Sequence, residues 1–226
     1  MGHSLAVRER LNKRVGKRCS VLGCCHGVNK FSQFCKHHDQ VNQRTGHPLG
    51  STITKGQLSS YMDAAREYLG EHQTAQAIVS ARNLLVNYLS NAKPRRYLSP
   101  KAPAWQRIEV WRHRLWVSGV DPVMDILAVI VGMYLLQYYD SRAFKSDRHF
   151  WHQMVIRIFK LSKARKDAGA GHTYHRRVTV RERDKFKDVL DETRLLALGG
   201  SIARKIIQLE EQASLPTVEG IRESFG

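Results

Sequence analysis

The chain has few cysteines, few acidic residues and no long apolar run. Four of its 226 residues are Cys, and 20 Asp or Glu stand against 37 Lys or Arg. The longest apolar stretch, residues 126–136, is too short to cross a bilayer. The first 18 residues are basic but lack the apolar segment of a secretory signal peptide. We therefore expect a cytoplasmic protein with reduced cysteines and no membrane partner.

Motifs of the common enzyme classes are also missing. The sequence contains no Walker A loop, no G-x-G-x-x-G, no G-x-S-x-G and no H-E-x-x-H. Acidic residues are sparse, and the paired carboxylates of a two-metal nuclease are not evident. No internal repeat of fixed period is present. These absences favour a protein that is not an enzyme.

Positive charge is what the chain has in excess. The formal net charge is +17 and the sequence pI is near 10.1. Such an excess affects the choice of partners rather than the fold. The usual partner of so basic a chain is a polyanion, and nucleic acid comes first.

All four cysteines lie within one short segment, a clustering that core packing does not explain. With one histidine they follow the spacing C-x4-C-x10-C-x2-H, which uses Cys19, Cys24, Cys35 and His38. Three thiolates and one imidazole form a closed tetrahedral set typical of a structural zinc site. Alternative ligands at neighbouring positions are Cys25, His26 and His37. A disulfide framework would need an oxidising compartment, so the spacing favours one structural Zn²⁺.

The same segment resembles a small phage zinc-binding module. The resemblance rests on Cys19 to Cys24, Phe31 to His38 and Arg44 to Pro48, which follow the pattern C-x-x-x-G-C … C-x-x-H … R-x-G-x-P. In that family the module often stands at the N-terminus of HNH homing endonucleases and of short phage DNA-associated proteins. The resemblance covers residues 19–48 only. It implies zinc binding by the four residues named above, contact with nucleic acid, a phage or mobile-element origin, and a location in the host cytoplasm.

The HNH nuclease itself is not supported beyond this module. Its chemistry needs a metal-binding histidine set and a general-base histidine on a short ββα hairpin. No Asp-His pair followed by Asn and His at matching distances occurs, and the pattern after residue 54 is helical. An atypical nuclease is therefore kept only as a second alternative.

Beyond residue 54, apolar residues recur at helical spacing. Helices are predicted at about 58–69, 74–90, 104–117, 123–139, from 147 onwards, and at 181–213. Asp121 and Pro122 are suited to start the 123–139 helix, which is apolar on nearly all sides and should lie at the centre of the core. Residues 39–54 are predicted to form a loop, because Gly46, Pro48 and Gly50 interrupt regular structure.

The predicted fold class is mostly α, with an N-terminal zinc knuckle followed by a multi-helix domain. We expect a basic arm over residues 1–18, the knuckle and a linker over 19–54, and the helical domain over 55–226. A basic flexible loop is expected near residues 163–183. The acidic end, residues 188–226, carries seven acidic against four basic side chains and is a candidate contact for a protein partner.

Candidate phosphate contacts come from the N-terminal arm, the 93–114 segment and the 163–187 segment. They are Arg14, Lys17, Arg18, Arg95, Arg96, Arg107, Arg112, Arg114, Lys163, Arg165, Lys166, Arg176 and Arg177. The 104–117 segment interleaves aromatic and basic residues, an arrangement that can stack bases and pair phosphates. Core spacing nevertheless predicts that Trp105, Ile108 and Trp111 are buried. Three arginines of the segment, Arg107, Arg112 and Arg114, would then lie on the other face of the helix.

These patterns together favour a zinc-containing nucleic-acid-binding protein, with DNA as its partner, acting in replication or gene control. The alternative is a helical protein-interaction adaptor or virion component in which the zinc only staples the N-terminal region.

Overall fold

The computed structural model describes residues 17–28, 32–93, 102–117, 121–162 and 179–198. Within these residues the protein is mostly helical, and a cluster of three cysteines and one histidine precedes the helices, as the sequence predicted. The seven helices described are α1 (Lys36–Thr45), α2 (Lys55–Glu71), α3 (Gln76–Ser90), α4 (Ala104–Val117), α5 (Pro122–Tyr139), α6 (Asp147–Leu161) and α7 (Val180–Leu198). A single antiparallel bridge joins Arg18 and Gly27 in the described chain.

Helix α5 lies at the centre of the core, as its apolar sequence predicted. Every residue from position 126 to 136 is buried. The carboxylate of Asp121 accepts a hydrogen bond from the Met124 N–H at 3.1 Å, and Pro122 is the first helical residue. By length and composition α5 could also span a membrane, the one such helix among the described residues. However, 67% of it is buried inside the fold, as in the core helix of a soluble protein.

Helices α2 and α5 pack most closely, and Gly132 permits their approach. A Cβ at Gly132 would lie 3.2 Å from the Met62 Sδ and 3.3 Å from the backbone of Tyr61. The start of α2 is fixed by a capping box, in which Thr54 and Gln57 satisfy each other's backbone N–H groups. The capping box therefore fixes where α2 begins.

Aromatic contacts join three further helices of the bundle. The rings of Trp111 in α4 and Phe159 in α6 stack at 4.3 Å, and Phe159 meets Phe186 of α7 edge-on at 4.9 Å. The predicted core position of Trp105 is wrong, since its side chain is 50% exposed. The buried stripe of α4 runs through Ala104, Ile108 and Leu115, which leaves position 105 beside it.

The predicted loop over residues 39–54 is wrong in its first part, because α1 continues to Thr45. Helix α1 is almost entirely polar, so it lacks the apolar periodicity by which a helix is recognised in a sequence. Gly46 ends α1 with a φ of 90°, and its N–H donates to the Asn42 carbonyl at 2.8 Å. The glycine that predicted a loop is the C-cap of a helix.

Several expectations fall on residues outside those described. These are the basic arm up to residue 16, most of the predicted flexible loop (163–178), and the helical and acidic region after residue 198. The last part of the predicted loop, from residue 180, belongs to α7.

Candidate metal centre

A short hairpin positions the first two cysteines. The N–H of Cys19 donates to the His26 carbonyl at 2.9 Å, and the N–H of Val28 donates to the Lys17 carbonyl at 3.1 Å. At the tip, Gly23 has a φ of 78°, which glycine adopts at little cost, and the Cys24 N–H donates to the Val21 carbonyl at 3.0 Å. This turn brings Cys24 back beside Cys19.

The start of α1 positions the other two residues. Cys35 is the N-cap of α1, and His38 lies in its first turn. The Ser32 hydroxyl accepts from the Phe34 N–H at 3.1 Å and donates to the Asp39 carboxylate at 2.7 Å, which holds the approach to the helix. These contacts place the Cys35 thiol and the His38 ring at the N-terminal end of α1.

The four ligand atoms form one compact group. The Sγ atoms of Cys24 and Cys35 are 3.9 Å apart, and the His38 Nδ1 lies 3.4 Å from the Cys19 Sγ and 3.3 Å from the Cys35 Sγ. All four atoms lie within 4.8 Å of one another. Tetrahedral zinc with ordinary bond lengths would place two sulfurs about 3.8 Å apart, and sulfur and nitrogen about 3.6 Å apart. The residues are close enough to bind one metal ion.

The thiols of this cluster compete for negative charge. Burial raises the pKa of Cys19, but hydrogen bonds from the backbones of Cys35 and Val21 and from His38 lower it to about 6. For Cys24, the backbone hydrogen bond from His26 lowers the pKa, whereas burial and the neighbouring thiols raise it more, so the net shift is upward. Two adjacent thiolates repel each other, and a bound cation would relieve that repulsion.

The alternative ligands lie outside this group of four atoms. Cys25 is exposed. His26 approaches only Cys24, with its Nδ1 3.6 Å from the Sγ, and His37 packs against the ring of His38 at 5.2 Å between centroids. The geometry selects Cys24 and His38 from the alternatives that the sequence left open.

Two of the predicted phosphate contacts are engaged inside the bundle. The Arg107 Nε lies 2.5 Å from the Glu182 Oε1, and its side chain is 13% exposed. The Arg112 Nε donates to the Tyr88 carbonyl at 2.7 Å, and its guanidinium is paired with Glu109. The expectation that these two arginines lie on an open face is wrong, because buried carboxylate and carbonyl acceptors hold them in place.

The remaining predicted contacts are placed differently. Lys17 and Arg18 are exposed beside the first cysteine pair. Arg114 is partly buried, with its guanidinium 5.8 Å from the centre of the Trp111 ring. The other predicted contacts lie outside the described residues; they are Arg14, Arg95, Arg96, Lys163, Arg165, Lys166, Arg176 and Arg177.

The segment after α1 fixes the metal centre to the bundle. The Gln153 side chain donates to the Thr45 carbonyl at 3.1 Å and accepts from the Ile53 N–H at 3.2 Å. Gly46 lies against α6 so closely that a Cβ there would be 2.6 Å from the Cβ of His152. We call this contact between the metal centre and the bundle the joint. In the sequence, only the R-x-G-x-P pattern at residues 44–48 marked it.

Two buried histidines complete the joint. The His149 Nδ1 accepts from the Lys145 N–H at 3.1 Å, and its Nε2 lies 2.7 Å from the Ser51 carbonyl, the arrangement of a neutral ring that donates through Nε2. Burial lowers the pKa of His149, although the Ser51 carbonyl opposes this. Neither ring nitrogen of His152 has a hydrogen-bond partner of ordinary geometry. Burial, then Arg183 and Arg148, lower the pKa of His152 to about 4, with the nearby backbone of Arg44 opposing in part.

Comparisons with protein-family models, with curated proteins and with solved structures found no match to this chain.

Proposed function

We propose that the protein is a zinc-containing nucleic-acid-binding protein that uses one structural Zn²⁺ and has DNA as its partner. A phage or mobile-element origin, a cytoplasmic location and a role in replication or gene control belong to the same proposal. The resemblance of residues 19–48 to the phage zinc-binding module supports the origin and the role.

The ligand set supports zinc as the metal. Thiolate-rich tetrahedral sites select zinc or iron–sulfur clusters, and a set of three cysteines and one histidine is common for zinc. Four protein ligands fill a tetrahedral shell, so the ion would have no open position for a substrate. A structural role follows from this closure.

The charge around the metal centre is the observation that carries nucleic-acid binding. We define the metal module as residues 17–28 and 32–53. The module exposes four cations, Lys17, Arg18, Lys36 and Arg44. In the described part of the chain no carboxylate lies within 4.0 Å of any of them.

Asp39 is the one acidic residue of the module, and it accepts hydrogen bonds from Ser32 at 2.7 Å and from Gln43 at 2.8 Å. Unpaired cations on a rigid surface are suited to phosphates.

Binding to labelled duplex DNA, single-stranded DNA and RNA over a salt series tests the proposal. The zinc-loaded protein should bind at least one of them tightly, and the affinity should fall steeply with salt because bound phosphates release counterions. Metal analysis should give one zinc per chain. Weak binding to all three nucleic acids at physiological salt, or the absence of stoichiometric zinc, would contradict the corresponding half of the proposal.

Exposed apolar side chains favour the adaptor as the second candidate function. Trp105 is 50% exposed and Val117 is 63% exposed on α4, and Leu195 is 45% exposed on α7. Exposed apolar side chains that form a contiguous patch are typical of a contact with another protein. Self-assembly of the purified protein without nucleic acid, measured by light scattering, would support the adaptor.

A further inference from the structure

A group of three unpaired cations, one of them Arg44 of the metal module, lies where the module meets the bundle. Arg44 is in the last turn of α1, Lys145 immediately precedes the N-cap of α6, and Arg148 is in the first turn of α6. All three side chains are exposed. We call these three residues the junction surface.

The two sides of the junction surface are held together by close backbone contacts. A Cβ at Gly46, two residues after Arg44, would lie 2.9 Å from the carbonyl oxygen of Arg148. On the other flank, His149 joins the Lys145 N–H to the Ser51 carbonyl. The three cations are therefore presented by a fixed backbone rather than by separate mobile segments.

The charge of the junction surface is not compensated within the described structure. None of the three cations has a carboxylate within 4.0 Å, whereas Arg66, Arg82 and Arg194 elsewhere on the bundle are each paired with an aspartate. Asp147 is the one acidic residue between positions 141 and 153. His47 lies close to this positive charge. Burial, then Lys145 and Arg148, lower the pKa of His47.

We propose that the junction surface binds the sugar–phosphate backbone of a nucleic acid, with Arg44 and Arg148 contacting phosphates from two different parts of the fold. This inference rests on the proposed function and adds a specific surface to it. Contacts of this type fix the register and orientation of the protein on a nucleic acid and carry no sequence information. None of the three residues was among the phosphate contacts that the sequence suggested.

The test compares two double variants that remove the same charge. In Arg44→Ala/Arg148→Ala, two phosphate contacts are lost, so the slope of log affinity against log salt should fall by about 1.8 for duplex DNA. That slope corresponds to about 30-fold weaker binding at 0.15 M salt. In the control Arg66→Ala/Arg82→Ala, affinity and slope should remain close to those of the unchanged protein. Lys145→Ala added to the first variant should lower the slope further.

The outcomes separate this inference from the proposed function. If the unchanged protein binds no nucleic acid, both fail. If it binds, but Arg44→Ala/Arg148→Ala retains the original affinity and slope, the junction surface is wrong and the proposed function stands. An equal loss in the control would also overturn the junction surface, because the effect would then be one of total charge. Zinc content and circular dichroism confirm that each variant is folded.

Discussion

The metal module and the helical bundle are held together by different means. Apart from Ile53, which packs into the core of the bundle, the buried apolar residues of the module are Cys19, Val21 and Cys35, and two of these are proposed metal ligands. In the bundle, formed by α2 to α7, one large apolar cluster surrounds α5. Because so small a core cannot stabilise a fold by burial, the module depends on its ligand set, whereas the bundle depends on packing.

The joint between the two regions resembles neither of them. It is buried, yet it consists of polar groups: Thr45, His149, His152 and Gln153 are each 2% exposed or less. Buried polar groups stabilise only when they are paired, and here Gln153 and His149 are paired with backbone atoms of the module. Directional bonds fix the angle between the two regions more strictly than apolar contact would.

Replacing one metal ligand should have the largest effect and should separate the two regions. Cys35→Ser should abolish zinc binding and unfold the metal module, because metal binding of about 10–16 kcal/mol is coupled to local folding. The bundle should keep its helices. Metal analysis and circular dichroism measure both effects. Cys25→Ser, at an exposed position outside the group of four ligand residues, should retain the metal. Stoichiometric zinc in Cys35→Ser would show that the ligand set is wrong.

A cavity in the bundle should have the opposite effect. Leu127 is fully buried in α5, and Leu127→Ala should lower the free energy of unfolding by about 2–5 kcal/mol. Zinc content should not change. The same substitution at Leu22, which is completely exposed, should cost almost nothing. Chemical denaturation followed by fluorescence gives the comparison. Loss of zinc from folded Leu127→Ala would show that the two regions are less independent than their cores suggest.

Acid should weaken the joint through His152. Its folded pKa, about 4, lies below the ordinary value of 6.5, so the folded state favours the neutral ring. The contribution of His152 to the free energy of unfolding is complete above about pH 6.5 and is lost as the pH falls towards 4. At most, the loss is roughly 3 kcal/mol. His152→Leu should show a flatter dependence of unfolding free energy on pH than the unchanged protein. Equal slopes in the two proteins would remove His152 as the cause.

Alanine substitutions at two glycines of the module should have a smaller effect on stability. They should distinguish backbone strain at positive φ from steric overlap of the added Cβ with its neighbours. Gly23 and Gly46 both have positive φ, but a Cβ at Gly23 meets nothing within 4 Å, whereas one at Gly46 overlaps His152. Both alanine variants share the backbone cost, about 1–2 kcal/mol. Gly46→Ala should lose about 1–3 kcal/mol more, from the overlap. Thermal unfolding of the zinc-loaded variants measures the difference. Equal losses of stability would mean that the joint rearranges to accommodate the added Cβ.

The helices of the bundle could be predicted because their signals are local. Asp121 with Pro122 marked the start of α5, and the Asp121 carboxylate accepts from the Met124 N–H. Helix α1 was missed because the residues that fix it are not marked by a local apolar pattern. Its position depends on Cys35 as N-cap and on the joint with α6, and neither is visible in an apolar pattern.

The sequence by itself indicated a set of three cysteines and one histidine, the helical class and the central place of α5, because spacing and apolar periodicity are properties of neighbouring residues. The tertiary structure chose Cys24 and His38 among the neighbouring candidates for that set. Only the tertiary structure decided which cations are available. Arg107 and Arg112 stand in a basic, aromatic segment, yet Glu182 and the Tyr88 carbonyl hold them inside the bundle. Arg44 and Arg148 are 104 positions apart, and the close contact of Gly46 with α6 brings their backbones together. A charge is exposed or paired according to what the fold places beside it.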